Sequence, residues 1–257
     1  MYDFFYYPDR VDYDSPKRLN LRYEEVFFDS VDKTRLWGWL ICTHDAQNPK
    51  DAKGTVVHMH GNAQNMTAHW SFAEWVVKRG YNLFTFDYRG YGKSEGAPEP
   101  KGIFEDSVSA LEYLSSRNDI DTDKLCVFGQ SLGGMLAIAA VGAHPKGVRA
   151  LLAEAPFYSY SQTIKDKFGN PDAALDDTYT AKSYIEKISP IPLMLIHGTA
   201  DQVVPYSHSQ RLFELAKEPK KFITIDGGTH VDSMVEQVRG RKYQDLMIDF
   251  FNKSLSD

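Results

Sequence analysis

CVFGQSLGGMLAIAA, residues Cys126–Ala140, sets a single serine, Ser131, between Gly129 and Gly133, at the junction of an apolar run and a run rich in small residues. A structural reading makes the glycines a device for tight packing and the serine incidental. A chemical reading makes the stretch a sharp strand-to-helix turn, G-x-S-x-G, that exposes the Ser131 hydroxyl and leaves no room for side chains at Gly129 and Gly133. Such a turn also aims the Leu132 N–H, at a helix N-terminus, toward the place where an oxyanion would form. Glycine-rich turns between strands and helices are common, so the surrounding sequence has to decide.

Working outward, the apolar runs TVVHMH, NLFTFDY, KLCVFG, RALLAEA, PLMLIHG and KFITID are each followed by a loop and, in most cases, by a stretch of helical periodicity. Helices are expected over 67–79, 103–118, 132–143, 207–216 and 231–254; in the second, Ile103, Val108, Leu111 and Leu114 form the buried stripe. Ahead of these, YEEVFFDS and RLWGWLIC flank VDKT and predict an opening antiparallel hairpin. Strands alternating with helices mean an α/β fold whose mostly parallel sheet is covered on both faces. The expectation is one domain over 1–257, with eight strands and a small lid segment at about 156–191. In such a sheet, chemistry collects in loops at the carboxyl ends of the strands.

A serine hydroxyl is a weak nucleophile and needs a base oriented by a third group. In this arrangement the partners come later in the chain, acid before histidine, each just past a strand. PLMLIHGTADQVVP supplies Asp201 and KFITIDGGTHVD supplies His230, in that order and in those places. A capping aspartate and a surface histidine are the bland alternatives, but the three together in the required order select Ser131, Asp201 and His230. Glu154, near the end of RALLAEA, is a rival acid, more simply read as a partner for nearby polar groups. The second oxyanion donor is expected from HGNAQN after the third strand, with the Asn62 N–H first and Ala63 next.

Composition removes other classes. Of 257 residues, 42% are hydrophobic and 25% charged, enough to bury a full core. The net charge of −6, without blocks of like charge, argues against a nucleic-acid partner. Two distant cysteines, Cys42 and Cys126, offer no metal spacing and read as buried free thiols in a reducing compartment. His58 and His60 share one face of a strand, but no third ligand follows, so both are read as structural. Gly92-Lys93-Ser94 mimics the tail of a phosphate-binding loop, yet the pattern requires a glycine where Asp87 stands. No apolar stretch approaches the roughly 20 residues of a membrane-spanning helix, and MYDFFYYPDR lacks the parts of a signal peptide. A cytoplasmic protein needing no cofactor or metal is expected.

HGNAQN, FDYRGYGKSEG, FGQSLGG, HGTADQVVP and GGTH resemble, in order, the motifs of the α/β-hydrolase superfamily. They are most similar to a group of small serine hydrolases that includes membrane-anchored bacterial proteins and eukaryotic relatives removing palmitoyl groups from proteins. The resemblance implies Ser131 as nucleophile, Asp201 as acid, His230 as base, and the HGNA loop with Leu132 as oxyanion hole. It leaves the substrate open among esters, thioesters and peptides. Members often carry an apolar anchor before a segment similar to FFYYPD, which here begins at Phe4; membrane association is expected only through such an anchor, which this sequence does not contain. The expected activity is hydrolysis of a small acyl ester or thioester. A peptidase of aminopeptidase type is the enzymatic alternative, for which Glu154 and the cluster Asp172, Asp176 and Asp177 could bind a substrate amino terminus. A non-catalytic pseudo-hydrolase serving as a binding module is the other. The lid segment carries Phe157, Tyr158, Tyr160, Phe168, Tyr179 and Tyr184, which either line an acyl pocket or dock short helices onto the sheet.

Overall fold

Eight runs with β-type composition form one sheet: β1 (Tyr23–Asp29), β2 (Arg35–Ile41), β3 (Thr55–Met59), β4 (Asn82–Asp87), β5 (Leu125–Gln130), β6 (Val148–Glu154), β7 (Leu193–Gly198) and β8 (Lys220–Ile225). The structure is a computed structural model that describes residues 5–169 and 175–256. Phe4 and Asp172, singled out above, lie outside the described residues. The spatial order is β1-β2-β4-β3-β5-β6-β7-β8. β2 runs antiparallel to both neighbours, as the opening hairpin requires, and the other pairings are parallel.

β3, β4, β5 and β7 are buried at every position because both faces of the sheet are covered. Side chains alternate between them: Leu125 and Val127 of β5 enter one core with Leu193 and Leu195 of β7, while Cys126 and Phe128 enter the other with Met194 and Ile196. The first core is closed by α1 (Pro100–Ser115), α2 (Leu132–Ala143) and, through Leu212, α4 (Ser207–Leu215). The second is closed by α5 (Lys242–Ser256), through Tyr243, Met247, Ile248 and Phe251, and by residues 66–79. α3 (Tyr160–Phe168) lies in the lid segment.

Two helical expectations change form. The 67–79 stretch is a single α-turn, Met66–His69, followed by 3₁₀ turns at Trp70–Phe72 and Glu74–Arg79. Trp70, Ala73 and Val76 recur every third residue, and 3₁₀ geometry stacks such positions on one face. The 231–254 stretch is interrupted: residues 231–235 form a turn, and Gly240 at φ 63° ends the short helix Glu236–Arg239 before α5 begins. Among the described residues no helix is long and apolar enough to cross a membrane.

Candidate active site

Ser131 follows β5 directly and precedes α2, with φ 57° and ψ −120°. That conformation is disfavoured for any residue with a Cβ and persists only where the surroundings hold it. Here the Ser131 N–H donates to the Glu154 carbonyl at 2.9 Å. The flanking glycines have the predicted cause. A Cβ on Gly133 would overlap the Met59 and His60 carbonyl oxygens of β3 and its loop, and one on Gly129 would overlap the Gly133 carbonyl.

The structure brings the three separated residues together. Ser131 Oγ lies 3.0 Å from His230 Nε2, and His230 Nδ1 lies 2.7 Å from Asp201 Oδ2. With Nδ1–H donating to the carboxylate, Nε2 is left to accept the serine hydroxyl proton. The other carboxylate oxygen accepts the N–H groups of Val203 and Val204 at 2.8 and 2.9 Å. Burial opposes the Asp201 anion, but hydrogen bonds from His197, His230 and Val204 hold its carboxyl well below the usual range. Ser131 is 7% exposed.

His197 was not singled out in the sequence. It is the penultimate residue of β7, four before Asp201, its Nε2 donates to the Val204 carbonyl at 3.0 Å, and the same nitrogen lies 3.2 Å from Asp201 Oδ2. Ser209 Oγ donates to its other ring nitrogen at 2.7 Å. A histidine closing a buried apolar strand just ahead of the acid was the available signal.

Glu154 is not the histidine's partner. Its side chain is buried and accepts from Gln130 Nε2 at 2.7 Å and from the Ser233 N–H at 2.9 Å. Burial pushes its carboxyl up, against the pull of those two donors. Gln130 Oε1 in turn meets His58 Nε2 at 3.1 Å, so a buried polar chain runs beneath the serine turn across three strands. His58 is thereby a structural histidine, pushed down to about 3 by burial. The histidine turn carries its own strain, with Val231 at φ 48°, and Asp232 braces it by accepting from Thr229 N–H and Arg239.

Gly61 of the HGNA loop lies beside the serine: a Cβ on it would stand 3.8 Å from Ser131 Cβ. His60 Nδ1 donates to the Gly61 carbonyl at 2.7 Å, and its Nε2 faces buried Asp87 at 3.2 Å. The phosphate-loop mimic is a structural turn. The carboxylate of Asp87 occupies the space where Gly92 would carry a Cβ, and Ser94 Oγ donates to the Asp87 carbonyl at 2.7 Å. Lys93 pairs with Glu25 and lies over Trp37.

The lid aromatics fall in separate environments. Tyr179 and Tyr184 pack on Phe104 of α1, Phe168 is 64% exposed, and Tyr158 sits between Lys182 and Arg211. Phe157 and Tyr160 are buried, Tyr160 against Phe5.

A mostly parallel eight-stranded sheet in this order, with G-x-S-x-G between β5 and α2, is the α/β-hydrolase fold. An esterase of Pyrococcus furiosus superposes with a TM-score of 0.78 at 22% identity, covering 97% of this chain and 98% of that one. The YfhR protein of Escherichia coli K12 is 41% identical over 256 residues, 99% of this chain and 88% of that protein. The α/β-hydrolase domain-containing protein WAV2 of Arabidopsis thaliana is 30% identical over 257 residues, 93% of this chain and 82% of its own length. The chain belongs to the prolyl oligopeptidase family of the α/β-hydrolase superfamily, whose pattern it matches over residues 68–257.

Proposed function

We propose that the protein hydrolyses small carboxylic esters or thioesters through an acyl-enzyme on Ser131. The observation that carries the reading is the unbroken hydrogen-bond series from Ser131 Oγ through His230 to Asp201. His230 Nε2 takes the hydroxyl proton as Oγ attacks the acyl carbon; Asp201 holds the ring and stabilises its charged form. The carbonyl electrons move onto oxygen, held by the Leu132 N–H and the Asn62 N–H, with Ala63 the next candidate donor. Collapse expels the alkoxide or thiolate, which receives the proton from His230, and water repeats the sequence to release the acid. The mechanism needs no metal or cofactor. The buried free thiols of Cys42 and Cys126 support a reducing, cytoplasmic setting.

Family membership favours a second reading, cleavage of peptide bonds. Against it, Glu154 is committed to Gln130 and Ser233, while Asp176 and Asp177 accept backbone N–H groups of Thr178 and Ser161. The test is turnover of one acyl group presented as an ester, a thioester and an aminoacyl amide. Ester or thioester kcat/KM is expected to exceed that of the amide by orders of magnitude; preference for the amide would establish the peptidase.

A further inference from the structure

The N-terminal segment looks remote from the chemistry in sequence, yet it is built into the loop beside Ser131. Tyr7 and Pro8 pair in parallel with Ala63 and Gln64. The Tyr7 N–H donates to the Asn62 carbonyl at 3.1 Å, and the Asp9 N–H to the Gln64 carbonyl at 3.1 Å. Asn62 Nδ2 reaches back to the Phe5 carbonyl at 2.7 Å, and Asn65 Nδ2 to Asp9 Oδ1 at 2.7 Å. The DYRGYG motif joins the same structure. Tyr91 Oη donates to the Asn62 carbonyl at 2.8 Å, Tyr88 Oη to the His60 carbonyl at 3.0 Å, and the Gly92 N–H to the Asp9 carbonyl at 2.9 Å.

Three consecutive carbonyls, of His60, Gly61 and Asn62, are thus tied to named donors. In a trans peptide the N–H points opposite to the preceding C=O. Fixing the Gly61 and Asn62 carbonyls therefore fixes the directions of the Asn62 and Ala63 N–H groups, which take no part in these bonds. The Asn62 carbonyl has both acceptor positions filled, by Tyr7 and Tyr91, so its peptide plane has little freedom to rotate. At the other end of the segment, Tyr6 Oη bonds Tyr160 Oη of α3 at 2.8 Å, joining the loop to the lid.

We infer that the segment Phe5–Asp9 and Tyr91 form a positioning clamp for the oxyanion donors, holding the Asn62 and Ala63 amides toward Ser131. The inference rests on the hydrolase reading above. Phe5 and Tyr6 are buried in the core, so truncation would confuse folding with function, and point variants serve better. Tyr91→Phe removes one bond to the Asn62 carbonyl; Asn62→Ala removes the tie to Phe5 while keeping the backbone N–H. The measurements are kcat and KM on p-nitrophenyl butyrate, the inhibition constant of phenylboronic acid (whose tetrahedral serine adduct places an oxygen in the oxyanion position), and the melting temperature. Each variant is expected to lower kcat about tenfold, as small misplacements of catalytic groups do. KM should stay within about twofold, and boronate binding should weaken in step with kcat/KM. A lowered melting temperature with kcat and boronate affinity unchanged would show a purely structural role and overturn the clamp. Wild-type protein that neither turns over the ester nor binds the boronate would overturn the hydrolase reading and the clamp with it. A failure of the clamp alone leaves the wild type active.

Discussion

Ser131, His230 and Asp201 are brought within hydrogen-bond distance from three separate loops, and each has a distinct signature when removed. Ser131→Ala and His230→Ala should each lower kcat by about 10⁶, because nucleophile and base act as a unit. Asp201→Asn should lower it by about 10⁴ with the fold intact, since the imidazole loses the anion that orients it. Glu154→Gln should reduce turnover far less, because its carboxylate contacts Gln130 and Ser233 rather than the His230 ring. Steady-state kinetics on the four purified variants checks the ranking; an Asp201→Asn enzyme more active than Glu154→Gln would move the acid to β6. These positions were legible because each follows a strand in a required order. His197 was not read, because its place just ahead of the acid marks it as buried but does not say which groups its ring will face.

At the scale of elements, the serine turn depends on α2 lying against β3 closely enough that position 133 has no room for a methyl group. Gly133→Ala would force α2 away from the Met59 and His60 carbonyls. It should destabilise the protein by about 1–3 kcal/mol, the range for overpacking, and reduce turnover as Leu132 moves with the helix. Denaturant midpoints and kcat on the same preparation test it; an unchanged midpoint and rate would mean that the contact yields freely. The lid makes a separate prediction. With Tyr179 and Tyr184 engaged by Phe104, Phe157 and Tyr160 are the lid aromatics that are buried, which leaves little aromatic surface for a long acyl groove. Each buried CH₂ contributes about 0.8 kcal/mol until the groove is full. For p-nitrophenyl esters below micelle-forming concentrations, kcat/KM should therefore rise from acetate to a maximum at short or medium chains and then fall. A maximum at palmitate would contradict this. α1 was readable from its buried stripe and α2, to the residue, from the small-residue run after the serine turn, although its ten successive buried residues carry no helical period. The 67–79 region was not, because threefold spacing of buried residues and a short α-helix give similar patterns.

For the whole molecule, the buried polar chain beneath the serine turn links stability to pH. His58 is held neutral, pushed down to about 3, whereas an unfolded histidine titrates near 6.5. Below about 6.5 the unfolded chain binds a proton that the folded one refuses until about 3, so this contribution to stability is full above 6.5 and declines as pH falls through that window. Between pH 7 and pH 5 it amounts to about 2 kcal/mol. Chemical denaturation of the wild type and His58→Gln at both pH values isolates it: the wild type should lose more stability on acidification than the variant, and equal losses would contradict a neutral His58. The mostly parallel sheet and the opening hairpin followed from the alternation of apolar runs with helical stretches, whereas the crossed order of β3 and β4 did not. The union of the N-terminal segment with the HGNA loop did not, because a two-residue parallel pairing held by tyrosine hydroxyls has no periodic signature.

Every step of the proposed chemistry passes through a reactive Ser131, so the most direct measurement is covalent labelling by a fluorophosphonate, read by intact-mass and peptide mass spectrometry. The wild type should gain one adduct, mapped to the peptide containing Ser131; Ser131→Ala should gain none, and His230→Ala should label far more slowly. No adduct on folded wild type, or an adduct retained in Ser131→Ala, would contradict the account.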